Sequence, residues 1–503
     1  MINARPRLHA LFAPARRWAR ACMVVAPLVF SACVYSSKVK REDYKLPDGF
    51  ASAKGAAKRK KPIGRWWKAF ANPELERLMQ LAFQGSLDLE IARARIDAAQ
   101  ARFGGSAAGY YPSLMGSANV RRSSQVFGPL GTVRQNSIDL SLSASYEIDL
   151  WGKVRHARNA ARHQLKASQE NLRAAYITIA AQLTDAYYLI VQQRALIAIL
   201  DKTIVSRKAQ VELVRRRYQS GVSHAGDLYQ SLQSLASAKA QRAQAIGALR
   251  TGANALAALV GRYPGHVDPG KLDTLPKQLM ELDGGVPGQL LLQRPDLRAA
   301  FQQLQAADQS VGAAFAAHFP SISIGGSIGR AFEPTAGNVW SIFAGLTAPI
   351  FQGGAIHARY KERKAQLREA IATFKKALLN AVKEVEDALA RGESTATRIK
   401  HLETRVAAAE GALRLSTDQY AQGLTIYLTV LTAEQALLGA RTELISARRE
   451  LISARVSLAR ALGGSWMNAD IKRQAEREKR EKGAEKKHEH QGGEPQGIAH
   501  DRA

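Results

Sequence analysis

Thiols are nearly missing from this 503-residue sequence: it has two cysteines, Cys22 and Cys33, and none after position 33. That excludes a disulfide framework and a thiolate metal site from the body of the chain. Unbroken apolar runs of about 18 residues or more are missing too, which argues against an ordinary transmembrane helix. A route into a membrane then needs a lipid or a β-barrel. Helix breakers are scarce where they would matter most. From Trp151 to about Gln219 there is no proline and one glycine, Gly152. Neither a P-loop nor a dinucleotide fingerprint is present, and no catalytic triad or paired carboxylates stand in a site context. His488 and His490 sit in a tail of alternating Lys, Arg and Glu, which reads as solvated chain rather than a metal site. No enzyme activity, metal or cofactor is therefore expected.

What the chain has in excess is positive charge, +29 in total. Residues 1–70 hold 16 Lys+Arg against 3 Asp+Glu, so 13 of those 29 charges lie in the first seventh of the chain. Residues 471–503 hold 9 against 7 and add only +2. No recognised module or aromatic-interleaved basic patch accompanies the charge, which weighs against nucleic acid as a partner.

The basic start has a different reading. Arg5, Arg7, Arg16, Arg17 and Arg20 precede the apolar segment Ala21 to Phe30, and Ser31 and Ala32 then lead directly to Cys33. This is the layout of a secretory signal peptide, expected over residues 1–32. The ending resembles a bacterial lipobox, with Phe30 where an aliphatic residue is usual, and marks Cys33 as a lipidation site. Val34 is compatible with sorting to an outer membrane. Residues 33–70 are expected to be a lipidated, extended N-terminal segment.

The body is one unit repeated. Tyr111-Pro112-Ser113-Leu114 recurs as Phe319-Pro320-Ser321-Ile322, an offset of 319 − 111 = 208. The Tyr218–Gly221 stretch recurs at Tyr420–Gly423, and Val260-Gly261 at Leu462-Gly463, both offset by 202 (420 − 218 and 462 − 260). Three landmarks in one order define a tandem duplication. The first repeat is expected over 71–265 and the second over 289–466, with a linker at 266–288 and a charged, disordered tail at 467–503.

Each repeat carries two strand patterns. Across 137–150, Ile138, Leu140, Leu142, Ala144, Tyr146, Ile148 and Leu150 alternate with Ser137, Asp139, Ser141, Ser143, Ser145, Glu147 and Asp149. Across 339–350, Trp340, Ile342, Ala344, Leu346, Ala348 and Ile350 alternate with Ser341, Gly345 and Thr347, with Phe343 as the exception. Weaker, Gly- and Ser-rich partners are expected at about 112–124 and 320–332. Period two over this length fits strands crossing a bilayer with apolar residues outward, or a soluble sandwich with one face in water.

The helices carry a longer period. Tyr176, Leu183, Ile190, Ile197, Ile204, Val211 and Tyr218 recur every seven residues. A second row, Leu172, Ile179, Ala186, Leu200 and Val214, is interrupted by Gln193 and Arg207. Adding 202 gives Leu378, Val385, Gly392, Ile399, Val406, Leu413 and Tyr420. This is the a/d repeat of a left-handed coiled coil, and at about 1.5 Å per residue it predicts a helix of roughly 100 Å. Return helices are expected at about 227–260 and 426–462. Four membrane-length strands cannot close a barrel, because about eight is the lower limit. An open sheet edge in lipid leaves backbone groups unpaired at several kcal/mol each. If the strands enter a membrane, the chain must oligomerise.

With these features the sequence resembles the TolC/NodT-type outer-membrane factor family, in its efflux lipoproteins, over about residues 30–466. The resemblance rests on Gly64 to Phe70 (GRWWKAF), Asn72-Pro73-Glu74-Leu75, Ile148 to Lys153 (IDLWGK), Gln293 to Leu297 (QRPDL), Pro349 to Gly354 (PIFQGG) and Leu462 to Trp466 (LGGSW). It implies a mixed α/β membrane protein: a homotrimer with a twelve-stranded outer-membrane barrel continued by a helical periplasmic tunnel. It implies strand-to-helix turns at Trp151, Gly152, Pro349, Gly353 and Gly354. It also implies that helix tips carrying Tyr218, Gly221, Asp227, Tyr420, Gly423, Thr432 and Glu434 form the entrance and meet a periplasmic adaptor, which links the duct to an inner-membrane pump. The family often places aspartate where Thr432 stands, so Asp227 and Glu434 are the expected entrance carboxylates. The implied function is passive export of small molecules as the outer-membrane part of a tripartite pump. A duct for exported proteins and, further off, a basic coiled-coil scaffold are the alternatives.

Overall fold

The computed structural model describes residues 35, 47, 49–51, 64–126, 132–276, 290, 293–333 and 335–476. Cys33, the signal segment, most of the linker and residues 477–503 lie outside them. The chain divides into two compact units. One comprises residues 1–44, 95–168 and 299–375, and the other 45–94, 169–298 and 376–503.

The elements follow the duplication. Two leading helices, α1 (Pro73–Gly85) and α2 (Leu87–Ser106), precede β1 (Ser113–Val126) and β2 (Thr132–Ile148), then the long helix α3 (Lys153–Gln219) and its return α4 (Ala225–Leu259). The second round is α5 (Pro295–Ala316), β3 (Ser321–Glu333), β4 (Gly337–Thr347), α6 (Ala355–Ala421) and α7 (Tyr427–Leu462). The long helices α3 and α6 have 67 residues each, and the return helices 35 and 36. β2 begins five residues before the sequence pattern starts, and β4 stops at Thr347, so Leu150 and Ile350 stand past the strand ends.

In the first unit the four strands form one antiparallel sheet in the order β1-β2-β3-β4. Register decides what each face carries, because paired residues share a face. One face stacks Leu142 with Ile328 and Trp340, Tyr146 with Ile324 and Ala344, and Ile148 with Ile322 and Leu346. The other carries paired hydroxyls: Ser113–Ser145 and Ser117–Ser141 at 2.8 Å and Ser327–Ser341 at 2.9 Å, with Asn119 Nδ2 donating to Asp139 at 3.0 Å. Phe343 lies on this polar face opposite Gly325. Its ring occupies the space over that glycine, where a Cβ would stand 2.6 Å from Phe343 Cζ. This explains the break in alternation. β1 and β4 each have one strand partner among the described residues, so the sheet is open at both edges.

Helical packing in the same unit brings Tyr35 onto α5. The Tyr35 hydroxyl donates to Asp308 Oδ1 at 2.7 Å, and its ring meets His156 edge-on at 5.7 Å. Gly312 makes the room, since a Cβ there would lie 2.7 Å from Tyr35 Cδ1.

In the second unit the heptad rows are the core. Tyr176, Leu183 and Ile190 are fully buried, as are Leu200 and Val214 of the other row and Val385 of the second repeat. α3 also contains a stretch that, although interrupted by polar residues, is apolar and long enough to cross a bilayer, but most of it is buried within the protein. It is a core segment.

Early and late segments of this unit close over this core. Trp67 packs edge-on to Trp466 at 4.6 Å, Phe83 bridges Trp67 and Tyr176, and Phe70 tilts against Tyr188 at 5.1 Å. The tail expected to be unstructured from 467 is corrected here. Residues 468–476 are helical, Met467 is fully buried, Asp470 pairs with Arg65 at 2.8 Å, and Gln474 accepts from the Tyr176 hydroxyl at 2.9 Å. Alternating charge reads as solvated chain, yet the Trp466-Met467 anchor supplies the apolar contact that a helix needs.

α1 starts on a strong local signal. Asn72 is its N-cap, accepting from the Leu75 amide at 3.1 Å, and Pro73 and Glu74 fill the first turn. The Asn72 amide also donates to the Tyr187 hydroxyl at 2.8 Å. Asn72→Ala is expected to lower unfolding stability by about 1 kcal/mol, within the range for lost caps, measured by denaturant titration. An unchanged midpoint would remove the cap from the account.

Candidate functional site

The tips of the long helices lie in the second unit and are built alike in both repeats. At the end of α3, the Val222 amide reaches back to the Arg217 carbonyl at 2.8 Å, and Gly221 has φ +75°. At the end of α6, the Leu424 amide reaches the Gln419 carbonyl at 2.8 Å, and Gly423 has φ +79°. Both are left-handed C-terminal caps of the Schellman kind, a conformation that favours glycine.

Between the tips sits a small buried cluster of Val214, Tyr420, Tyr427, Val430 and Leu431. Arg217 ties the first repeat to the second: its guanidinium lies 4.7 Å from the Tyr420 ring centre and donates to the Tyr420 carbonyl at 2.9 Å. It thereby caps the C-terminal carbonyls of α6, where a cation is favoured. Around this cluster the tip is apolar but open. Val222, Tyr229, Leu424 and Ile426 are each more than 60% exposed, and Tyr218 is 44% exposed.

The two expected entrance carboxylates have different surroundings. Asp227 is half-buried in the first turn of α4, where its Oδ2 accepts from the Ser223 hydroxyl at 2.7 Å. Glu434 is buried, 5% exposed, which corrects the expectation that it lines the entrance. Its Oε1 accepts from Gln210 Nε2 at 2.6 Å, and its Oε2 lies 3.4 Å from Nε of Arg207, itself 3% exposed. Arg207 also donates to the Ser234 carbonyl at 2.6 Å. Burial holds the Glu434 carboxyl above the usual carboxylate range, against the opposing pull of Arg207 and Gln210. Thr432 is exposed and its hydroxyl donates back to the Leu428 carbonyl.

The strand-to-helix turns belong to the first unit. Trp151 stacks on Phe319 at 4.7 Å and its indole donates to the Pro320 carbonyl at 2.6 Å. Gly152 has φ +77°, and the Asp149 carboxylate accepts from the amides of Val154 and Arg155 at 3.0 and 2.8 Å. In the second repeat, Gly353 and Gly354 take φ +58° and +82°, and Ala358 bonds back to the Gly354 carbonyl. Among the described residues no group of three or more His, Cys, Asp or Glu side chains is arranged to hold a metal.

A four-stranded sheet with one apolar and one hydroxyl face, joined in each repeat to a 67-residue heptad helix, defines the protomer of a TolC-like outer-membrane channel. Residues 78–262 and 286–464 match the outer membrane efflux protein family, and the chain belongs to it. It is 29% identical over 340 residues to the pyoverdine export outer membrane protein OpmQ of Pseudomonas putida, covering 65% of this chain and 72% of the relative. To the outer membrane protein OprJ of Pseudomonas aeruginosa it is 31% identical over 323 residues, covering 61% and 67%. The solved outer-membrane channel OprN superposes with a TM-score of 0.78 at 26% identity, over 86% of this chain and 99% of that one. The chain is the outer-membrane channel component of an efflux system, a channel that reaches into the periplasm.

Proposed function

We propose that three copies of this chain close a twelve-stranded barrel and act as a passive duct that carries small molecules out of the cell, within a tripartite pump. The observation that carries this reading is the open sheet. Four strands with an apolar face and two edges unpaired among the described residues satisfy their backbone groups in lipid by pairing with further copies. The energy comes from an inner-membrane pump, and the exposed apolar tips around Tyr218, Tyr229, Leu424 and Ile426 are the surface offered to the periplasmic adaptor. Asp227 is the entrance carboxylate in this scheme, with Gly221 and Gly423 shaping the turns. A diacyl lipid on Cys33 anchors the chain, and Tyr35, held on Asp308, fixes the strand of chain just after it.

Metabolic labelling with a clickable palmitate tests compartment and anchor together. Wild type is expected to take up label and fractionate with the outer membrane, and Cys33→Ser to lose the label. Cys33→Ser still labelled would remove the lipid claim. An unlabelled wild type lying in the cytoplasmic fraction would overturn the duct as well.

A further inference from the structure

The apolar face of the sheet ends in arginine. Towards the end of the strands far from the helices, this face carries Val120, Ile138, Ile328 and Trp340, with Phe332 beyond them on β3. One step further along the same face of β1 to β4 stand Arg122, Asn136, Arg330 and Asn338. The pairings confirm the shared face: Arg122 opposes Asn136, and Arg330 lies between Leu140 and Asn338. Arg134 follows Asn136 on β2, opposite Ser124 and diagonal to Arg122. All three arginines are exposed, and none forms an ion pair with a described carboxylate. Arg330 lies 5.7 Å from the Phe332 ring centre, which steadies its guanidinium, and its N–H groups have no hydrogen-bond partner among the described residues.

The distribution is one-sided. On this face the opposite end of the strands carries Leu114, Tyr146, Ile148, Ile322 and Leu346 and no charged residue. Glu333, opposite Ile138 past a bulge, is the single described carboxylate on the arginine end of the face. Three cations less one anion leave +2 per protomer, or +6 around a trimer. Asp139 and Arg121 point to the other face, since they pair with Asn119 and Ser137.

We propose that Arg122, Arg134 and Arg330 form a phosphate-binding rim on the outer surface of the barrel, and that its occupant is the phosphorylated glycolipid of the outer leaflet. This rests on the channel reading above. A guanidinium placed at the border of an apolar belt faces headgroups rather than solvent alone, and its planar fork matches two phosphate oxygens at once. Arg122 and Arg134 sit close enough to hold one phosphate between them, and Arg330 two strands away reaches a second. A neutral headgroup gains nothing from this arrangement. The helices define the periplasmic end, so the rim meets the outer leaflet and not the inner one. Asn136, opposite Arg122, and Asn338, opposite Arg330, add amides beside the guanidiniums that donate to the same phosphates.

Native mass spectrometry of the full-length trimer in detergent provides the test, with three added lipids: a bisphosphorylated lipid A-type glycolipid, its dephosphorylated form, and phosphatidylglycerol. Wild type is expected to retain the phosphorylated glycolipid roughly fivefold or more over the dephosphorylated one, in keeping with charge-assisted bidentate bonds. The triple variant Arg122→Gln, Arg134→Gln, Arg330→Gln is expected to lose that preference, and Arg121→Gln, on the other face, to keep it. Equal retention with and without phosphate, or a triple variant that keeps the preference, overturns the rim. Phosphatidylglycerol held as strongly as the glycolipid overturns the choice of occupant. The same spectra report assembly; if the triple variant does not trimerise, Arg122→Gln and Arg330→Gln are read singly, each with a smaller loss expected. A wild type that forms no detergent-stable trimer counts against the channel reading itself, whereas a stable trimer indifferent to phosphate sinks only the rim.

Discussion

Arg207→Met is expected to destabilise the helical unit by about 3–5 kcal/mol, the usual consequence of removing one partner from a buried ion pair. Both side chains are almost fully enclosed, and the change leaves Glu434 with Gln210 as its remaining strong partner. The double variant Arg207→Met, Glu434→Leu is expected to recover most of the loss, because no uncompensated charge remains. The pH dependence follows from the raised Glu434 carboxyl, whose first cause is burial. The folded protein holds this proton more tightly than the unfolded chain does. The stability this group contributes is therefore complete below its unfolded value, about 4.3, and is lost as pH rises through the higher folded value. Removing Arg207 takes away an opposing pull and pushes the carboxyl higher still. The Arg207→Met defect should then shrink in acid, where Glu434 is neutral. Thermal unfolding followed by circular dichroism, at neutral and acid pH, checks both parts. A single variant as stable as wild type, or a double variant worse than the single, would contradict the pairing.

The second large effect is expected at the end of each repeat. Gly463 has φ 73° and ψ −137°, a region closed to side chains, and a Cβ there would stand 2.7 Å from the Gln293 carbonyl. Gly261, its counterpart 202 residues earlier, has φ +73°, and a Cβ would overlap the Gly85 carbonyl. Backbone strain alone costs about 1–3 kcal/mol at each position, with the collision added to it. Gly463→Ala and Gly261→Ala should each lower the unfolding midpoint clearly. Gly247→Ala is the control: it is exposed within α4 with open space around it, so alanine should raise stability by about 0.5–1 kcal/mol. If all three variants behaved alike, the close approach would have no energetic meaning.

These sites also show where the sequence was readable. The heptad rows and the absence of breakers place the long helix at 151–219, and it runs Lys153–Gln219. The Gly261 and Gly463 landmarks were legible as repeats. Their cause was not, because it is a carbonyl belonging to a segment far away in the chain. α1 had its signal in Asn72-Pro73-Glu74, whereas α2 and α5 are rich in alanine with scattered polar residues and gave no clear apolar stripe. Glu434 was misplaced for a related reason. A carboxylate near a helix tip reads as luminal until its partner is known, and that partner is 227 residues away (434 − 207). One clue was available. Arg207 interrupts an apolar row and Glu434 interrupts another between Leu431 and Leu437, and two opposite charges at core positions call for each other.

The hydroxyl face of the sheet bears on what such a wall does to a passing molecule. In the pairs Ser113–Ser145, Ser117–Ser141 and Ser327–Ser341, either oxygen is able to be the donor. Each pair reverses by rotating two light hydroxyls, without moving backbone or shedding charge. A dipole of either orientation that drifts past is met by a compliant partner and then released, since the hydroxyls close on each other again. In the proposed duct, such a lining wets readily and holds a passing solute only briefly.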